Sequence, residues 1–131
     1  MSTLRTNALE GVDAKNSITI VAGAGNITTT NVQQGLTKAW CKFQGSGSIA
    51  NDDSFNVSGL TDNGTGDYTV AIDNDMANDD YSTSVHSSEN HSAVYNAANT
   101  FAGSVRIYVQ NSSNSNTDGN EIGVQICGDL A

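Results

Sequence analysis

The chain has 131 residues, five Lys and Arg against fourteen Asp and Glu, a net charge of -9 and a pI near 4.2. That size is one domain's worth, the charge opposes a nucleic-acid or anionic-membrane partner, and no apolar run approaches the ~18 residues of a membrane span. Ser, Thr and Asn contribute 15, 13 and 16 residues, whereas Leu, Ile, Val and Phe together contribute 26. Such a composition sits near the ~20% aliphatic level below which charged chains tend to be disordered, so a folded chain needs burial through association.

The opening residues, Met-Ser-Thr-Leu-Arg-Thr-Asn-Ala-Leu-Glu-Gly, lack the apolar stretch of a secretory signal peptide. Residues 1–30 read as an extended arm that holds one β segment, in which Ile18 and Ile20 alternate with Ser17 and Thr19. Charge divides along the chain. Residues 1–50 hold Arg5, Lys15, Lys38 and Lys42 against Glu10 and Asp13, and residues 51–131 hold Arg106 against twelve acids. The arm is therefore expected to anchor the chain, through Leu4, Arg5 and Lys15, on a partner or on other copies. The ordinary alternative for the acids is that they keep a Ser/Thr/Asn surface soluble. Residues 31–37 read as a short connecting helix or turn. Asn31 or Thr30 would cap it, Val32 and Leu36 lie one turn apart, and Gly35 weakens it.

From residue 38 onward the pattern has period two, the signature of strands. Ala39, Cys41 and Phe43 form one face against Lys38, Trp40 and Lys42. Phe55 and Val57 follow, then Tyr68, Val70 and Ile72, a weaker run from Tyr81 to Val85, then Val105, Ile107 and Val109, and finally Ile122, Val124 and Ile126. Turn chemistry separates them: Gly45–Ser48, Asp62–Asp67 with Asn63-Gly64 as the strongest hairpin signal, and a polar loop over 111–120. The expected fold is all-β. Residues 38–131 form an antiparallel β-sandwich of jelly-roll type behind the N-terminal arm.

Trp40 is the only tryptophan. If Ala39, Cys41 and Phe43 face the core, Trp40 is exposed and marks a subunit interface; if the faces are reversed, it is buried. Cys41 and Cys127 are the only cysteines. They pair if their strands are neighbours, although without an export signal reduced thiols are expected. His86 and His91 flank Glu89 at a spacing of five, which suits neither a helical nor a strand metal face without ligands from another chain. Asp73, Asp75 and Asp79 present alternating oxygens of the kind Ca²⁺ takes, but the glycine and glutamate of a calcium loop are missing, and a solvated turn is the ordinary alternative. There is no Gly-x-Ser-x-Gly elbow, phosphate loop or His-Glu-x-x-His, and Asp52 and Asp53 have no aromatic cleft around them. No cofactor and no enzymatic activity are expected.

Two stretches carry a resemblance. Gly35-Leu-Thr-Lys-Ala-Trp-Cys-Lys-Phe43, and Ser54-Phe-Asn-Val-Ser-Gly-Leu-Thr-Asp-Asn-Gly-Thr-Gly-Asp-Tyr-Thr-Val70, resemble a β module of tailed-phage virion proteins, familiar from marine and cyanobacterial phages. The run from Met76 to Tyr81 and the N-terminal nonapeptide resemble it more weakly. The resemblance implies a β-rich domain on the outside of a phage particle, assembled as a trimer, made in the host cytoplasm and without catalytic residues. The chain lacks the long shaft of the larger fibre proteins, and Cys41 stands where an aliphatic residue is expected. A small knob or decoration protein, attached to capsid or tail proteins through residues 1–30, is therefore the leading expectation. The alternative is the tip of a short tail fibre. Its loops, with Asp62, Asn63, Asp67, Asn114 and Asn116, would touch a host-surface glycan or protein receptor.

Overall fold

The structure, a computed structural model, describes residues 19–22, 28–32 and 35–131. The chain divides between Leu36 and Thr37 into two units. In the first unit, β1 (Thr19–Ala22) pairs antiparallel with β2 (Thr28–Asn31), from Thr19 opposite Asn31 to Ala22 opposite Thr28. The three consecutive threonines are β-branched and suit a strand. Asn31 ends that strand, and Val32 and Gly35 lie in turn conformation; residues 33 and 34 of the connecting segment lie outside the described residues. Leu4, Arg5 and Lys15, proposed as anchors, and Ile18 of the arm's β segment lie outside the described residues.

The second unit is all-β apart from one 3₁₀ turn over Ala97–Asn99, capped by the Asn96 side chain, which accepts from the Ala98 amide. Its strands are β3 (Ala39–Gln44), β4 (Ala50–Phe55), β5 (Val57–Gly64), β6 (Asp67–Ile72), β7 (Ser82–Ser87), β8 (Ser92–Tyr95), β9 (Ser104–Gln110) and β10 (Ile122–Cys127). They form two four-stranded antiparallel sheets, ordered β4-β3-β10-β7 and β5-β6-β9-β8. Hairpins β3–β4, β5–β6 and β8–β9 each stay within a sheet, and the first and last strands of the unit lie side by side at the centre of one sheet. The expected antiparallel sandwich is the observed fold.

Alternation explains which strands face inward. On β3, Ala39, Cys41 and Phe43 are buried; on β6, Tyr68, Val70 and Ile72; on β9, Val105, Ile107 and Val109; on β10, Ile122, Val124 and Ile126. Met76 completes this core. Phe43 of one sheet meets Tyr68 of the other edge-to-face, with centroids 5.4 Å apart and planes at 74°, which locks the two layers together.

Two local expectations are corrected. Phe55 and Val57 do not share a strand face. Asn56 adopts a left-handed backbone (φ 55°), and the chain passes there from β4 of one sheet to β5 of the other. The Asn56 side chain fixes this corner: Nδ2 donates to the carbonyls of Lys38 (2.9 Å) and Asn74 (3.1 Å), and Oδ1 accepts the Asn74 amide (2.7 Å). Asparagine tolerates positive φ better than most residues, so the position suits it. The second correction concerns the β5–β6 hairpin. Strand pairing continues to Gly64 opposite Asp67, and the two turn residues are Thr65 and Gly66, not Asn63 and Gly64. A bulge between Asp62 and Gly64 accounts for the shift.

Candidate functional site

Outward-facing residues of the sheet β4-β3-β10-β7 follow from its register. Phe55, Trp40, Gln125 and Ser84 form one row across the four strands, and Asp53, Lys42, Gly123 and His86 form the next. Trp40 is half-buried on this outer face, because the core side of β3 is occupied by Ala39, Cys41 and Phe43. The reading with Trp40 in the core is overturned by this orientation. Its cross-strand neighbour Phe55 is 57% exposed. The face thus carries two aromatic rings of opposed strands, an arrangement no core demand explains.

Gly123 shapes the centre of the face. A Cβ at that position would lie 2.0 Å from His86 Cε1 and 2.2 Å from Nε2, so the imidazole rests directly over the glycine backbone. A glycine inside a strand marks a place where something else approaches closely, and here that is the His86 ring. Around this pair lies an open groove of about 450 Å³ on the sandwich surface, lined by Thr37, Trp40, Lys42, Ser84, His86 and Gln125 with Gly123. Polar groups around it are held in place. Gln125 Nε2 donates to Thr37 Oγ1 at 2.7 Å. Lys42 Nζ lies 3.1 Å from Glu121 Oε1 and 3.8 Å from Asp52 Oδ2, and the Glu121 bond raises its pKa. The lysine that lines the groove is therefore matched by carboxylates at its edge. Sequence reasoning singled out Trp40 but missed Phe55, Ser84, His86 and Gln125 as its company. The available signal was Gly123, an isolated glycine inside an alternating strand.

The two polar loops are brought together at one end of the sandwich. Gly66 N–H donates to Asp118 Oδ1 (2.7 Å), the Val109 amide donates to the Gly66 carbonyl (2.8 Å), and the Thr117 amide donates to the Val109 carbonyl (2.9 Å). Tyr68 Oη lies 2.9 Å from the same Asp118 oxygen and 3.0 Å from the Gly45 carbonyl. Most of the side chains offered as binding candidates are engaged internally. Asp62 Oδ1 accepts the Gly64 amide (2.9 Å), and Asn63 Nδ2 donates to Thr69 Oγ1 (2.9 Å). Asp67 is not a loop group but forms a two-pronged, partly buried ion pair with Arg106, at 2.8 Å to Nε and 2.6 Å to Nη2. Asn116 accepts from Gln110 (3.3 Å), and Asn114 holds a left-handed turn position at φ 58°.

Asp73, Asp75 and Asp79 are exposed around Met76, and among the described residues no three His, Cys, Asp or Glu side chains converge on a cation-sized position. The acidic stretch is a solvated connection between sheets. His86 sits in the groove, while His91 Nδ1 approaches Glu89 Oε2 at 3.4 Å in the β7–β8 turn. Cys41 and Cys127 are on neighbouring strands but cannot pair. Val124, not Cys127, stands opposite Cys41, and Cys41 points into the core whereas Cys127 alternates with the core residue Ile126. Burial pushes the Cys41 thiol up to about 12.

Among the described residues no helix is long and apolar enough to cross a membrane. Comparison with known protein families, with curated proteins and with solved structures yields no match.

Proposed function

We propose that this chain is a small, non-enzymatic surface protein of a tailed-phage particle, with the sandwich of residues 37–131 displayed outward and the preceding residues attached to capsid or tail proteins. The observation that carries this reading is the division of the chain at Leu36/Thr37, with the two packed sheets and their buried core, among the described residues, on the C-terminal side. The stretches 35–43 and 54–70, which resemble the phage virion module, supply β3 and the hairpin β5–β6 of that unit. The division also revises the electrostatics. Lys38 and Lys42 belong to the sandwich, and Arg5 and Lys15 balance Glu10 and Asp13, so the N-terminal unit is neutral and the whole charge of -9 lies on the sandwich. Attachment then rests on strand pairing or apolar contact, not on attraction to an acidic partner. The displayed unit is acidic, which favours solubility.

Association as a trimer fits a small core and four edge strands, β4, β7, β5 and β8, which closed symmetry would shield. A labelled antibody against residues 37–131 on purified virions tests the reading in cryo-electron micrographs. Label across the head or at the tail is expected, and its absence from intact particles overturns it. Light scattering on the purified protein should give three times the 13.6 kDa chain mass. A monomer at micromolar concentration contradicts the trimer.

A further inference from the structure

We infer that the groove over Gly123 is a binding site for a neutral sugar ring, with Trp40 as the stacking surface and Ser84, His86 and Gln125 as hydrogen-bonding partners. The inference rests on the reading of the sandwich as the outward, solvent-facing part of the chain. Its ground is the chemistry of the lining. A pyranose presents one C–H face and a rim of hydroxyls, so it needs an aromatic plane beside short polar side chains. Trp40 supplies the plane, with the exposed Phe55 extending it on the neighbouring strand. Gln125 and Ser84 lie in the same row, one and two strands away from Trp40, roughly 5 and 10 Å at ordinary strand spacing. His86, packed against Gly123 two strands from Trp40, supplies a ring nitrogen. The volume of about 450 Å³ suits one or two sugar rings.

Charge selects the kind of sugar. Lys42 is matched by Glu121 and Asp52, and the chain carries -9 overall, so an anionic sugar would compete with those carboxylates for Lys42 and meets an unfavourable field. A protein partner fits less well. Beside the two aromatic rings the row continues with Gln125 and Ser84 and the next row carries Asp53, Lys42 and His86, and interface centres are depleted of charged groups.

Trp40 is the sole tryptophan, so its fluorescence reports the groove directly. The full chain is titrated to about 100 mM with methyl β-galactopyranoside, methyl α-glucopyranoside and N-acetylglucosamine, because single-ring contacts of this size give millimolar affinity, about -4 kcal/mol. A saturable change with at least one of them is expected. His86→Ala and Ser84→Ala, both at exposed positions, should each weaken it roughly five-fold, as the loss of one hydrogen bond does. Three results overturn the inference: no saturable change with any sugar, wild-type affinity in both variants, or a protein-concentration-dependent change in Trp40 emission without sugar, which assigns the face to a second copy. Virion labelling fails or succeeds independently. Labelled particles without sugar binding sink only the groove, and sugar binding without labelled particles sinks only the virion assignment.

Discussion

Gly66 shows how a single residue can be dictated by its neighbours. Its φ is +63°, and a Cβ there would stand 2.5 Å from the Val109 carbonyl oxygen and 2.6 Å from Thr117 backbone atoms. Backbone cannot move aside as a flexible side chain can. Gly66→Ala should therefore destabilise the sandwich by about 2–4 kcal/mol, read as a lowered midpoint in urea unfolding. Gly64, with φ +131° and open space around it, is constrained by conformation alone. The two cysteines give a second test at this scale. Cys41 is 2% exposed and its thiol is pushed up by burial, while Cys127 is partly exposed. Because the thiolate is the reactive form, one thiol per chain should react with a disulfide reagent at pH 8 in the folded protein and two in urea. Replacement of Cys127 by Ser should remove the fast reaction. None of this was visible along the chain: Asn63-Gly64 advertised the turn, and the actual turn lies two residues later because a bulge consumed the difference.

At the scale of elements, central and edge strands differ in how legible they are. β3, β6, β9 and β10 were readable because each buries one face, and half-burial is what writes alternation into a sequence. β4 and β8 were not. β4 (Ala-Asn-Asp-Asp-Ser-Phe) is almost wholly exposed and held by its ladder to β3, and β8 is a four-residue edge. An edge strand with little to bury has no pattern to show, and the two aspartates of β4 guard its open side. Asp52 also sits in a bulge opposite the Lys42–Phe43 step, which brings it within 3.8 Å of Lys42 Nζ. The same contrast fixes a stability prediction. Ile126→Ala, at 1% exposure on a central strand, should cost about 2–4 kcal/mol by leaving a cavity, whereas Val94→Ala on edge β8, 43% exposed, should stay within about 0.5 kcal/mol. Equal losses in denaturant unfolding would show that the two sheets share their core differently from this description.

For the whole molecule, the position of the core predicts autonomy. Among the described residues the buried core lies between Ala39 and Ile126, so a fragment of residues 37–131 should unfold in one cooperative transition and keep the near-ultraviolet circular dichroism of Trp40 and the packed tyrosines. A noncooperative melt would mean that the preceding residues complete the fold. Alkali should act on the same core. Burial raises the Cys41 thiol and the Tyr81 phenol to about 12, and Tyr68 is raised further by burial and by its bond to Asp118. The folded state holds these protons more tightly than the unfolded chain. Their contribution is therefore complete below about pH 8, where neither state has lost them, and falls as pH rises toward 12. Thermal melts should be flat from pH 7 to about 8 and then decline, and a Cys41→Ala variant should decline less steeply. The sequence by itself determined that the chain is all-β, acidic and dependent on a small core, and it named the apolar faces of β6, β9 and β10 while leaving that of β3 open, because those properties depend only on composition and on period-two burial. Tertiary structure alone decided that β3 and β10 are neighbours, that Asn56 and not a continuous strand joins β4 to β5, that the cysteines face apart, and that Trp40, Phe55, Gln125, Ser84 and His86 meet around Gly123. Residues as far apart as Trp40 and Gln125 share a site only through strand register, and register is a property of the paired sheet, not of any one strand.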